Sequence, residues 1–243
     1  MDAKLAMQFS STGALRASIN LGNPVLASRS DRRADPRGVS VDLARAFAAR
    51  LGLALEMVVF DSAGESVDAV AQGHADIGFF ALDPARGAQL RFSAPYLLIQ
   101  GAYAVRATSP ISAMAEVDRP GQRVVVGKGS AYDLYLSRTL KHASVERAAT
   151  SPTVVEEFLR STADVAAGVR QQLEADCERV PGLRLLPGSF MTIEQAIGVP
   201  GACSDDGLRI LREFVEDMKA DGFVARALKE HNIAGARVAP LTK

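Results

Sequence analysis

The chain has 243 residues, 48% hydrophobic and 23% charged, an ordinary globular composition and enough length for one large domain or two lobes that each bury a core. Its 28 basic and 28 acidic residues cancel, so it lacks the electrostatic footprint of a nucleic-acid binder. No apolar run nears the roughly 20 residues that span a bilayer, and the opening MDAKLAMQFSSTG, without a hydrophobic region or small-residue cleavage site, does not read as a secretory signal.

In chain order, Leu15 to Leu21 reads as a first strand closed by Gly22-Asn23-Pro24. Asn20 and Asn23 at that strand end either hydrogen-bond a ligand or serve as turn residues that bond their own backbone. Ser28 to Arg37 is a polar, hairpin-like loop. A helix begins at Ser40, with Val41, Leu43, Ala44, Phe47, Ala48 and Leu51 on one face, and Gly52 stops it. Leu55 to Phe60 is a strand, Asp61 to Gly64 a loop, and Ser66 to Gln72 a short helix stopped by Gly73. The alternation of strand and helix is that of parallel βαβ units.

Asp76 to Phe80 then reads as a short buried strand, ended by Leu82 and the turn pair Asp83-Pro84. Arg86 follows just past the strand's carboxyl end. In an open α/β sheet ligands collect at that edge, and a guanidinium offers a planar fork matched to a carboxylate. The alternative reading is a surface arginine. Phe92-Ser93-Ala94-Pro95-Tyr96 closes the unit, and the long apolar run Leu97 to Val105 reads as a strand crossing between two lobes.

A fresh α/β series begins at Arg123. Its strand runs into Gly127-Lys128-Gly129-Ser130-Ala131 and a helix carrying Tyr132, Leu136 and Leu140. Such a turn can aim backbone N–H groups at an anion; alternatively Ser130 is an N-cap in a Ser-x-x-Asp box with Asp133. The turn fits neither a nucleotide cradle nor a hydrolase elbow. Val145 to Ala148 is a strand, Ser151-Pro152 opens a helix as N-cap and first-turn proline, and Asp164 to Ala167 is another short strand, followed by Gly168-Val169-Arg170. Leu183 to Leu186 and the returning strand Ile193 to Val199 complete the second lobe. Ser204 to Ala220 is an amphipathic helix, and beyond Lys229 the tail is loose. Cys177 and Cys203 read as unpaired thiols, and His74, His142 and His231 as surface or loop residues without metal-binding spacing.

The order strand, turn, Arg86, Phe-Ser-x-Pro-Tyr, together with Gly38-Val39-Ser40-Val41-Asp42-Leu43, the Ser130 turn and Lys219-Ala220-Asp221-Gly222, resembles the polar amino-acid-binding family of bacterial periplasmic solute-binding proteins over roughly Leu15 to His231. The resemblance implies an α/β, two-lobed fold of the type II periplasmic-binding-protein class. Lobe 1 would be residues 12–104 and 198–243, and lobe 2 residues 105–197. It implies a small carboxylate ligand, an amino acid or related organic acid, bound in the inter-lobe cleft by hinged closure and delivered to the membrane permease of an ABC importer. It implies no cofactor, no metal and no nucleic acid, and a monomer working in the periplasm, with cytoplasmic work the alternative in view of the opening residues. The implied ligand-binding set is Arg86, Ser130, Ala131, Phe79, Ala81, Asn20, Asn23, Gly168 and Glu194.

Three family features differ here. Asn20 to Asn23 stand where the family places a stacking aromatic, Ala63 stands where it places a second, and Gly168-Val169-Arg170 replaces an aspartate that pairs with the ligand's ammonium. Burying an ammonium without a counter-charge costs several kcal/mol, so another acid, Glu194 or Asp83, takes over or the ligand lacks that group. The family also implies two other readings. One is an enzyme similar to the cyclohexadienyl dehydratases, with Glu174 or Glu194 as general acid. The other is a cytoplasmic ligand-sensing domain.

Overall fold

In the computed structural model of the chain, residues 6, 8–10, 13–31 and 33–242 are described. The opening stretch read above as lacking a signal falls mostly outside them. The chain divides into two compact units, 1–98 with 194–243 and 99–193. The crossings fall somewhat earlier in each connecting strand than the sequence reading places them.

In the first unit, β1 (Ala14–Asn20) lies between β2 (Ala54–Phe60) and β3 (Ile77–Ala81), parallel to both. The start of β3 is fixed by Asp76, which accepts the backbone N–H of Arg16 at 2.8 Å and its guanidinium at 2.6 Å. β3 in turn pairs antiparallel with β9 (Met191–Pro200), Gly78 opposite Gly198 and Ala81 opposite Gln195. Both glycines exist to seat one ring: a Cβ on Gly78 would lie 2.2 Å from Phe80 Cζ, and one on Gly198 2.8 Å from Phe80 Cδ2. β4 (Leu90–Arg106) and β10 (Arg237–Val238) pair antiparallel.

Helix α1 (Val39–Leu51) buries Leu43, Ala44, Phe47 and Leu51 and ends at Gly52 in the left-handed region, φ 69°. Its Phe47 meets Phe214 of α7 (Asp205–Ala220) at 4.7 Å between ring centroids. The loop before α1 is hairpin-like as expected, since Ser28 and Arg37 exchange two backbone hydrogen bonds of 2.8 Å each.

In the second unit, β5 (Arg123–Gly127) lies between β6 (Ser144–Ala148) and β7 (Val165–Val169), parallel to both, and β7 pairs antiparallel with β4. α5 (Val154–Arg160) covers this sheet with Val154, Val155 and Phe158. The Arg106 guanidinium stands 4.3 Å from the Phe158 ring centroid and donates to the carbonyls of Ala163, Phe158 and Ser161, so a cation is held by π-face and peptide oxygens together.

Several expectations need correction. β4 is one strand of 17 residues, where the sequence reading separates Phe92–Tyr96 from the crossing strand; Pro95 removes one donor without ending the strand. Helix α2 (Ala63–Ala71) starts inside the expected loop because Ser62 caps it, accepting the N–H of Glu65. A 3-10 turn, Ser151–Thr153, precedes α5, and Thr150 stands at its N-cap in place of Ser151. β7 extends through Gly168 and Val169, and α6 (Arg170–Arg179) follows it where no helix is expected. The tail is docked: Ala239 donates to Tyr96 O at 3.1 Å, and the buried Lys219 ammonium donates to Pro240 O at 2.8 Å. His231 is half-buried, its Nε2 2.6 Å from the Asp42 carboxylate. Cys177 and Cys203 are free thiols, and burial raises the pKa of each.

In the second unit, Asp118 accepts the backbone N–H groups of Ala143, Lys141 and His142, which lower its pKa to about 2. A depressed acid contributes stability that is present above its unfolded value of ~3.9 and lost as pH falls through the folded value. The urea midpoint of the wild type should therefore fall more steeply between about pH 4 and pH 2 than that of Asp118→Asn. Parallel curves would remove Asp118 from the acid response.

Candidate functional site

Three strands of the first unit set out the site residues: β1 ends at Asn20, β3 at Ala81, and β9 returns beside β3. After Ala81 the chain turns at Asp83, whose carboxylate accepts the Ala85 N–H at 2.8 Å and caps the short helix α3 (Pro84–Gly87), with Pro84 pre-set for its first turn. That turn folds Arg86 back over the strand it follows. Its Nη1 donates to Ala81 O at 3.1 Å, and the residue is only 6% exposed. Arg86 is therefore not a surface arginine. Burial lowers its pKa from the ordinary 12.5 to about 10, the field of Asp83 opposing the shift. A charged guanidinium taken out of water at a strand's carboxyl end favours an incoming carboxylate, whose charge-assisted hydrogen bonds would offset the cost of burying it.

The other first-unit candidates divide. Phe79 and Ala81 are buried in β3, and the Phe79 ring meets Tyr96 edge-on at 6.3 Å. Asn20 takes its turn role, its Oδ1 accepting the Gly22 N–H at 2.8 Å. Asn23 is half-buried, and its Oδ1 has no hydrogen-bond partner among the described residues. Glu194 turns its side chain to solvent and uses only its carbonyl, which accepts the Leu82 N–H at 2.8 Å. The neighbouring Gln195 faces inward, which the sequence reading missed. The shared parity of Ile193, Gln195 and Ile197 along β9 is the signal that would have found it.

In the second unit the glycine turn is directed inward. Lys128 N–H donates to Ala148 O at 3.0 Å, Ser130 N–H to Gly127 O at 3.0 Å, and Gly129 N–H to Asp133 Oδ2 at 2.9 Å. Two of these amides are thus taken up by carbonyls of the protein, and the Gly129 amide holds the protein's own carboxylate. Asp133 is buried and also receives Arg147 Nε at 3.1 Å. Ser130 is the N-cap of α4 (Ala131–Thr139), accepting the Asp133 N–H at 3.0 Å, and Ala131 is that helix's first residue. Burial pushes the Tyr132 phenol up to about 12, hydrogen bonds with Ser151 and Ser130 opposing it. Gly168 lies within β7, where a Cβ would meet Leu173 Cγ at 3.2 Å; its want of a side chain serves packing. Arg170 opens α6 and donates to Gln100 Oε1 at 2.8 Å and to Gly188 O. Among the described residues no cluster of three or more His, Cys, Asp or Glu could hold a metal ion, and no helix is long and apolar enough to cross a membrane.

The family model of the bacterial extracellular solute-binding proteins, family 3, matches residues 15–232. The chain belongs to that family. The resemblance drawn from the stretch around Arg86 is thereby confirmed, as is the mixed α/β class. Similar solved structures include the putative binding component of an ABC transporter from Wolinella succinogenes complexed with lysine, at 21% identity and TM-score 0.77 over 90% of this chain and 95% of that one. The solute receptor for L-cysteine of Neisseria gonorrhoeae matches at 19% identity and TM-score 0.80, covering 95% and 94%. The ancestral amino acid-binding protein AncCDT-1, a precursor of cyclohexadienyl dehydratase, matches at 18% and 0.77, covering 93% and 98%. No curated protein matches the sequence. At these identities the likeness establishes the fold of this family 3 protein, and its ligand has to be argued from its own residues.

Because the Ser130 hydroxyl caps α4, Ser130→Ala should lower stability by about 1 kcal/mol in urea unfolding. An unchanged midpoint would show that the cap contributes nothing.

Proposed function

We propose that this family 3 protein binds a small carboxylate, an amino acid or related organic acid, in the periplasm as a monomer and delivers it to the permease of an ABC importer. The observation that carries the reading is the Arg86 guanidinium, buried at the carboxyl end of β3 and presented by a capped turn. Family membership and the ligands of the similar structures, lysine and L-cysteine, both carboxylates, support it.

Binding is favoured over dehydration by the state of the two acids an enzyme would need. General-acid work calls for a carboxyl held in an apolar, water-poor environment. The Glu194 side chain is exposed, and that of Glu174 is 48% exposed with its carboxylate 3.6 Å from Arg170. Neither meets that condition.

Isothermal titration of amino acids and amine-free carboxylates tests the reading. A bound acid should lose affinity in Arg86→Ala by about 2–5 kcal/mol, roughly 30- to several-thousand-fold, with the circular dichroism spectrum unchanged. Equal affinity in the folded variant would contradict the assignment.

A further inference from the structure

β9 brings a second buried polar group beside Ala81, the last residue of β3. Gln195 stands opposite Ala81 in the antiparallel register, and Ala81 is the residue whose carbonyl receives Arg86 Nη1 at 3.1 Å. Opposed residues of an antiparallel pair project to the same face. Gln195 is 3% exposed, yet its Oε1 is buried with no hydrogen-bond partner among the described residues. A carboxamide oxygen left in that state is costly, and buried polar groups are hydrogen-bonded in the great majority of folded proteins. The flanking inward positions of the same strand, Ile193 and Ile197, are apolar, so packing alone gives no reason for a carboxamide between them.

We infer that Gln195 is a specificity-determining residue of the Arg86 site: its carboxamide oxygen accepts a hydrogen bond from an N–H or O–H on the carbon skeleton of the ligand whose carboxylate Arg86 takes. This rests on the reading of Arg86 given above and narrows the substrate class to acids that carry a hydrogen-bond donor close to the carboxylate, α-amino or α-hydroxy acids rather than unsubstituted ones. A neutral acceptor suits both donors. It supplies direction without a second charge, and it rejects the analogue that lacks the donor because Oε1 then stays unsatisfied.

The test uses sets of acids with the skeletons of alanine, leucine, phenylalanine, glutamate and lysine, each as amino acid, α-hydroxy acid and unsubstituted acid, titrated calorimetrically into the wild type, Gln195→Met and Arg86→Ala. The wild type should prefer donor-bearing acids over the unsubstituted member by about tenfold or more. In Gln195→Met that preference should shrink toward parity while binding remains dependent on Arg86. The melting midpoint of the ligand-free variant should stay equal or rise, since an apolar chain of similar shape replaces an orphaned oxygen. A preference unchanged in Gln195→Met overturns the inference and leaves the Arg86 reading standing; so does a marked fall in the ligand-free midpoint, which would show the oxygen bonded within the fold. Failure of every acid to bind the wild type, or full affinity in Arg86→Ala, overturns the Arg86 reading and this one with it. Should Gln195→Met not fold, Gln195→Glu keeps the shape, and its carboxylate should raise the amino-over-hydroxy ratio about tenfold or more; an unchanged ratio again overturns the inference.

Discussion

The structure of the candidate site depends on holding one guanidinium out of water. The fall of the Arg86 pKa from 12.5 to about 10 corresponds to roughly 3 kcal/mol against the charged form, a large fraction of the 5–15 kcal/mol by which domains are stable. A fold keeps such a group where something else stabilises it. The Ala81 carbonyl supplies one neutral acceptor and Asp83 a favourable field, and burial still dominates them. A ligand carboxylate adds charge-assisted hydrogen bonds worth ~1.5–3 kcal/mol each, enough to reverse the balance. A carboxylate ligand on that guanidinium would thus offset part of the cost of burying it.

The second unit solves an anion problem of its own by different means. At its glycine turn the buried Asp133 carboxylate is held by one peptide N–H, that of Gly129, and by Arg147. Ser130 and Asp133 thus act first on the local helix. Asp133 lies against Gly129 N–H and Arg147, whereas Arg86 is a buried cation at the carboxyl end of β3, and this makes Arg86, rather than the Ser130 turn, the centre of the functional account.

What could be read in advance follows from how local each cause is. The place of Arg86 is legible because strand end, Asp83-Pro84 turn and arginine are consecutive; its burial is not, since the same residues allow a surface arginine. The Ser130 turn allows two readings because an N-cap and an anion-binding turn need the same residues; the structure shows the cap, Ser130 Oγ accepting the Asp133 N–H. Helix α6 escaped because RQQLEADCER buries only Leu173 and Asp176, leaving no apolar stripe to detect. The docked tail escaped because β10 is a two-residue strand that exists only beside β4. Glu194 stands out on charge, and Gln195 goes unnoticed although the alternation of β9 turns it, and not Glu194, inward.

A crystal structure of the protein with a calorimetrically identified acid bound would test the central claim most directly. The account predicts a ligand carboxylate oxygen within about 3 Å of an Arg86 guanidinium nitrogen. A carboxylate held elsewhere, with no ligand oxygen near the Arg86 guanidinium, would contradict it.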